Sequence, residues 1–410
     1  MSSTSIKHSS EVGSGSVQRW AYPLLLVLLA VALGISGAPA PLYGVYAAEW
    51  DFAPITTTIV FAVYALGALV SVLVTGPVSD RIGRRPVLIA AAVGLLLGLV
   101  VFMLAQSVAW LLVARAIHGL SVGSMVVVAS AALLDLKPDE GARTGKRTGV
   151  AFNVGIGLSI VLTSVMAQHL AHPTVTPYAV LAALVAVLLV GVLLMREPHV
   201  EDRSDTLRIA RPRVPAAITA DFRFAAIGVM ASWSVLGVFL SLFPSIASAA
   251  VGTHDLVFAG GVVAVSALAA ALSQVVAVIW TPRTAAVAGD AGTAFFLLVS
   301  IAAIHSASAA AILIASTLLG FFFGLAFGSS LRHLGDVVPA DHRGEVMSAF
   351  YVLAYSAMAV PTILAGWAAT VWSPEQILAP FLSCVALASV VAGILGWRLD
   401  APDADVDLDD

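Results

Sequence analysis

A single cysteine, Cys384, stands in a chain of 410 residues, so an intrachain disulfide, a redox thiol pair and a cysteine metal cluster are all excluded. Charge is scarce as well: 11% of the residues are Asp, Glu, Lys or Arg, against about 25% in an ordinary globular domain. Two stretches, 52–79 and 86–114, contain none of the four. No His-Glu-x-x-His zinc signature and no outward-facing cluster of acids is present, which removes the usual metal and nucleophile constellations of a membrane enzyme. Gly119-Leu120-Ser121-Val122-Gly123 matches a hydrolase pattern, but that chemistry needs a strand-to-helix turn and this run is helical. The expectation is a protein that is not an enzyme, has no cofactor or metal, and binds no nucleic acid.

What the chain does contain is apolar surface in long runs, 60% of all residues. A helix that crosses a bilayer needs about 20 apolar residues. On that ruler the sequence divides into twelve spans at 21–47, 54–76, 86–106, 109–134, 148–169, 176–195, 223–249, 257–280, 286–305, 308–331, 346–370 and 376–397. The fold class expected is an all-α polytopic membrane protein. The first span is too long for a cleaved signal segment. A Ser-rich polar stretch, 1–19, precedes it and reads as a cytoplasmic tail. A polar insert at 196–222, with Arg196, Glu197, Glu201, Asp202, Arg203, Asp205, Arg208, Arg211 and Arg213, divides six spans (20–195) from six (223–398), and 399–410 is an acidic tail.

Basic residues fix the expected orientation. With the N-terminus inside, Lys7, Arg19, Arg81, Arg84, Arg85, Lys137, Arg143, Lys146, Arg147, the linker arginines, Arg283, Arg332, Arg343 and Arg398 all fall on the cytoplasmic side, whereas Glu49, Asp51, Asp255 and Glu375 fall outside. Both termini are therefore expected in the cytoplasm. The halves also echo each other: Lys137-Pro-Asp-Glu-Gly-Ala-Arg143 precedes the fifth span as Val338-Pro-Ala-Asp-His-Arg343 precedes the eleventh, and Pro41 and Pro244 lie at similar depths. Two parallel repeats facing each other across a cavity are the arrangement such symmetry implies.

Between the two charge-free stretches runs Gly76-Pro-Val-Ser-Asp80-Arg81-Ile-Gly83-Arg84-Arg85-Pro86-Val-Leu88. Four charges there belong in a tight turn at a membrane surface. Gly76 is expected where helices approach closely, Gly83 at a left-handed turn position, and Asp80 as an acceptor for a guanidinium or a helix N-terminus, so that the turn latches helical blocks together. This stretch closely resembles the signature loop of the major facilitator superfamily, G-x-x-x-D-R-x-G-R-R/K, and Gly76, Asp80, Arg81, Gly83, Arg84 and Arg85 fill its positions. The resemblance implies two six-helix bundles and a secondary transporter working by alternating access, with the loop as a conformational latch. Phe350-Tyr351, Tyr355 and Pro361 are similar to the eleventh helix of bacterial exporters of that superfamily, and the resemblance implies proton-coupled efflux. Gly/Ala/Val-rich spans point to a bacterial inner membrane, and a monomer is expected. Metabolite uptake by uniport or symport, and a non-transporting sensor, stand as alternatives. The partners implied are a small-molecule substrate, membrane lipid and protons as coupling ion.

Arg115 lies inside the fourth span, where an arginine costs about 2.5–3.5 kcal/mol on insertion scales. It either faces an internal cavity or snorkels to the outer interface. Its surroundings, Arg115-Ala-Ile-His118-Gly119, are similar to the superfamily's second motif, R-x-x-Q-G, with His118 at the glutamine position. The resemblance carries a role in proton coupling to Arg115, and His118 is the titratable neighbour. Two features depart from drug antiporters: the fifth span lacks the expected glycine-proline pair, and the first span has no Asp or Glu. The candidate cavity residues are aromatic or amide: Tyr43, Tyr64, Asn153, Trp233, Phe239, Gln274, Tyr351 and Tyr355.

Overall fold

A computed structural model describes residues 18–198 and 211–399. The expected polar tails and the middle of the linker lie outside those residues. Within a bilayer every backbone amide must find its partner inside its own segment, and long apolar helices are the solution the chain adopts. Among the described residues twelve are long and apolar enough to cross: α1 (Ala21–Trp50), α2 (Pro54–Ile82), α3 (Arg84–Met103), α4 (Val108–Leu136), α5 (Pro138–His169), α6 (Thr176–Leu194), α7 (Ala216–Ser241), α8 (Leu256–Ile279), α9 (Pro282–His305), α10 (Ala309–Val337), α11 (Arg343–Val371) and α12 (Pro374–Arg398). No strand occurs among them.

Local chemistry sets the helix starts. Asp255 caps α8 by accepting from the amides of Val257 (2.7 Å) and Phe258 (3.1 Å), and Thr281, Ser308 and Ser373 cap α9, α10 and α12. Proline opens α2, α9 and α12, where its missing N–H is not needed.

Two spans are broken. The helix of α1 stops at Gly37, passes through a short 3-10 turn at Ala40–Leu42, and restarts at Tyr43. Pro39 and Pro41 lie in that break and have no N–H to give to the preceding turn. In the second half α7 ends at Ser241 and a separate helix, Phe243–Val251, follows with Pro244 near its start. The matched breaks are the structural form of the internal repeat.

The first six helices pack as one bundle and the last six as another, and the two meet chiefly along α2 with α11 and α5 with α8. With an even number of spans, residues 18 and 399 lie at the same end, here called proximal. The two hydrogen bonds that join the halves among the described residues both lie at the distal end: the Ile55 amide to Thr370 Oγ1 (3.1 Å) and the Leu256 amide to Gln168 Oε1 (2.8 Å). Small residues allow the close approach there. A Cβ placed on Gly366 of α11 would come within 2.8 Å of Thr58 Cβ, and one on Gly44 would meet Ser245 Oγ at 3.5 Å. The distal ends of the two halves are therefore held against each other, with a pocket of about 250 Å³ between them lined by Tyr43, Phe52, Thr57, Ser241, Ser245 and Glu375 among others.

Two expectations about the signature stretch are corrected, and so is the start of the ninth span, set at 286, which put Asp290 near its edge. The stretch after Gly76 is not a loop: α2 continues as helix through Ile82 with Pro77 inside it, and Gly83 alone separates α2 from α3. Gly76 is not at a forced contact, since a Cβ there would sit 3.7 Å from Val127, an ordinary separation. Asp290 is not near the edge of its span, because α9 begins at Pro282 and the carboxyl is 1% exposed.

Candidate functional site

Arg115 is completely enclosed, so it does not snorkel. Nε donates to the Tyr43 hydroxyl (2.9 Å), Nη2 donates to the same oxygen (2.5 Å), and Nη1 donates to the Ser36 carbonyl (2.9 Å). That carbonyl is accessible because α1 breaks one residue later, and Tyr43 is the first residue after the break. The guanidinium carbon also lies 5.2 Å from the ring centre of Tyr64, 5.6 Å from that of Tyr43 and 6.0 Å from that of Phe61. A desolvated cation over an aromatic face gains about 2 kcal/mol. All of these partners are neutral, and no carboxylate among the described residues pairs with Arg115.

The second half meets this cluster through α11. Tyr355, together with Met358 and Ala359, is buried in the same apolar core as Tyr43, Phe61 and Tyr64. Tyr355 sits edge-on to Trp233 of α7 (4.8 Å between ring centres), and Trp233 leans on Phe327 of α10 (5.5 Å). Tyr43, Tyr64, Tyr355 and Trp233 thus form an aromatic belt where the halves join, with Arg115 behind it on the first-bundle side, and Tyr351 lies one turn from Tyr355, against Phe350.

The other candidates stand apart. Asn153 donates to the Gly149 carbonyl of its own helix (3.0 Å), and Gln274 donates to the Gly324 carbonyl of α10 (2.8 Å). Phe239 stacks on Phe243 at 4.1 Å within the core of the second bundle. His118 is buried but does not share the partners of Arg115: it packs on Gly98 and, at 5.2 Å, on the Phe102 ring of α3, which stacks in turn on Tyr178 of α6.

The signature stretch is a brace within the first bundle. Gly83 has φ +95°, and a Cβ there would come within 2.7 Å of a Glu197 carboxylate oxygen. The backbone angle is what calls for glycine, and the missing side chain leaves room for that carboxylate. Arg84 is nearly buried: it forms an ion pair with Asp80 one turn back, donates through Nε to Asp135 of α4 (3.0 Å) and through Nη1 to Ser79 Oγ (2.6 Å). Arg85 donates to the carbonyls of Val192 and Leu193 at the end of α6. Glu197 accepts from the amides of Arg84 (2.8 Å) and Arg85 (2.9 Å), which puts a carboxylate on the N-terminus of α3. Arg81 is exposed. Among the described residues these bonds all end on the first bundle. Sequence reading missed Asp135 and Glu197. Their signal was position: an acid at the proximal end of α4 and another just past α6.

Paired broken helices, a buried cation inside the first of two six-helix bundles and a charged brace at one membrane edge define a class: polytopic membrane proteins built on two repeats. Comparison with known proteins gives the family. The family model of the Major Facilitator Superfamily matches residues 24–361, and the chain belongs to that superfamily, whose members are transporters. It is 40% identical over 81 residues to the multidrug resistance protein MdtL of Escherichia coli O45:K1, a match covering 20% of this chain and 21% of the relative. It is 41% identical over 69 residues to the major facilitator-type transporter psiT2 of Psilocybe cyanescens, covering 17% and 13%. The matched segments are thus about a fifth or less of those relatives. Over the whole fold it is similar to the crystal structure of the human organic anion transporter MFSD10, with a TM-score of 0.68, 15% identity and coverage of 92% of this chain and 99% of that one.

Proposed function

We propose that the protein is a secondary transporter that exports a small organic solute by alternating access between residues 1–195 and 223–398, with protons as coupling ion and both termini on the cytoplasmic side of a bacterial inner membrane. The observation that carries the reading is Arg115, a buried cation with neutral partners, held in the first bundle behind Tyr43 and Tyr64, which share an apolar core with Tyr355 of the second. A buried charge without a counter-ion is costly, and a solute carrying an anionic or acceptor group relieves that cost. Similarity over a fifth of the chain to MdtL, a multidrug resistance protein, supports export.

In this reading the described conformation is the one closed to the outside. The brace around Asp80 ties α2, α3, α4 and the end of α6 together, and it gains contacts with the second bundle when the distal end opens and the proximal ends approach. Arg115 and His118 remain the coupling candidates. Arg115 keeps its charge at every relevant pH and acts by biasing its neighbours, while His118 supplies a titratable group behind it.

Everted membrane vesicles provide the test. Accumulation of a panel of small organic acids should depend on an imposed pH gradient and be lost in Arg115→Ala. Accumulation of none of them, or full accumulation by Arg115→Ala, would overturn the reading. Labelling of a cysteine at Thr253, beyond the Phe243–Val251 helix, tests the orientation: reaction from the cytoplasm alone would reverse it.

A further inference from the structure

Asp290 of α9 is 1% exposed, and neither of its carboxylate oxygens has a hydrogen-bond partner. Glycines make room for it. A Cβ on Gly228 of α7 would stand 3.1 and 3.2 Å from the two oxygens, and one on Gly393 of α12 would stand 3.8 Å from Asp290 Cβ. One turn from each of these three positions lies a hydroxyl: Ser232 on α7, Thr293 on α9 and Ser389 on α12. Helices α7 and α9 run parallel and α12 runs opposite, so each of the three steps leads toward the distal end and the hydroxyls share one depth.

All three are buried, at 1%, 0% and 0% exposure, and all three lack a hydrogen-bond partner. Ser248, Ser316, Ser330 and Thr362 of the same bundle also lack one, but none of them lies one turn from Asp290 or from a glycine that faces it. Helical hydroxyls can satisfy themselves on their own backbone. Ser234, Ser241 and Ser300 each donate to the carbonyl four residues back. The neighbouring cations are occupied or remote. Arg283 of α9 donates to the carbonyls of Gly396, Trp397 and Leu399, His333 of α10 pairs with Asp221 of α7 (2.7 Å), Arg332 donates to Ala277, and Arg223 and Arg398 are exposed.

A carboxylate in such surroundings requires a partner. A proton would serve one oxygen and leave the other carboxylate oxygen and three hydroxyls unmatched. A small hard cation gathers several oxygen ligands at once, and one carboxylate neutralises a single positive charge. We propose that Asp290, with Ser232, Thr293 and Ser389, forms a binding site for a sodium-sized monovalent cation enclosed between α7, α9 and α12 of the second bundle. The site lies apart from the Arg115 belt and binds whether or not that belt carries solute.

The test uses the purified full chain in detergent and needs no transport substrate, so its result is independent of the export assay. Thermal unfolding is followed while NaCl replaces N-methyl-D-glucamine chloride at constant ionic strength, alongside direct binding of radioactive sodium. The wild-type midpoint should rise saturably with sodium. Asp290→Asn, which conserves shape, should remain folded and lose both the shift and the binding. Thr293→Val should weaken the apparent affinity by about tenfold or more, and Ser300→Ala should leave it unchanged. A wild-type midpoint indifferent to sodium but responsive to pH would replace the cation by a proton and overturn the proposal. So would an undiminished sodium response in Thr293→Val and Asp290→Asn. Should Asp290→Asn fail to fold, Thr293→Val decides.

Discussion

Adding one methyl group to Gly366 should push the protein out of the conformation described here. The glycine lies on α11 where it crosses α2 near the distal end, and a Cβ there meets Thr58 Cγ2 at 2.6 Å and Thr58 Cβ at 2.8 Å, with Oγ1 closer still. Neither helix can retreat freely, because the Ile55 amide is bonded to Thr370 one turn further out. Overpacking of this kind costs about 1–3 kcal/mol. The cost falls on the distal-closed arrangement alone, so Gly366→Ala should shift the equilibrium toward the distal-open state by roughly 5- to 150-fold. The readout is alkylation of a single cysteine introduced at Thr57, which is 6% exposed and lines the distal pocket, in a background with Cys384→Ser. Gly366→Ala should accelerate labelling by that factor, and Thr58→Ala, which removes two of the three closest atoms, should recover most of the original rate. Unchanged labelling in a folded Gly366→Ala protein would refute the idea that this crossing holds the distal end shut.

Four further outcomes are expected. Arg115→Lys replaces a planar fork by a point charge that cannot hold both Tyr43 and the Ser36 carbonyl, so transport should fall about tenfold or more, as losing one charge-assisted hydrogen bond implies, measured as initial rates in proteoliposomes. Glu197→Gln removes the charge from the N-terminus of α3, at a cost of about 1 kcal/mol, and should lower the thermal midpoint of the purified protein. Asp80→Asn breaks an ion pair whose acid is half exposed, so stability should change little, but labelling at Thr57→Cys should slow if the brace stabilises the distal-open state; unaltered labelling and transport together would exclude the latch. His118→Gln should leave solute binding intact and displace the pH profile of transport, and an unmoved profile would take His118 out of the coupling path.

The number of spans was legible in the sequence because apolar run length is a one-dimensional property. The spacing of glycine, acid and arginines from Gly76 to Arg85 was equally local, but it was read as a turn, where the chain stays helical through Ile82 and turns at Gly83 alone. The grouping of Arg115 with Tyr43 and Tyr64 was legible in part, since these residues were named without their contacts. The rest depended on partners that residue type does not announce. The Ser36 carbonyl became an acceptor only through the break in α1, although Pro39 and Pro41 marked that break in plain view. Asn153 and Gln274 looked like cavity ligands and are engaged with backbone carbonyls, while Phe239 is core. Asp290 was misplaced because the start of α9 was set four residues late, and four residues is one turn of burial.

The order in which the ribosome releases these helices separates the two buried charges. Arg115 finds its acceptors 72 and 79 residues upstream, at Tyr43 and Ser36, so both already exist when α4 leaves the translocon. Asp290 has only part of its enclosure at the corresponding moment, because Gly393 and Ser389 belong to α12, which is made after α9. A nascent second bundle therefore holds an unsheltered acid until α12 has followed, and this half of the fold closes around its charge late where the first half closes around its charge at once.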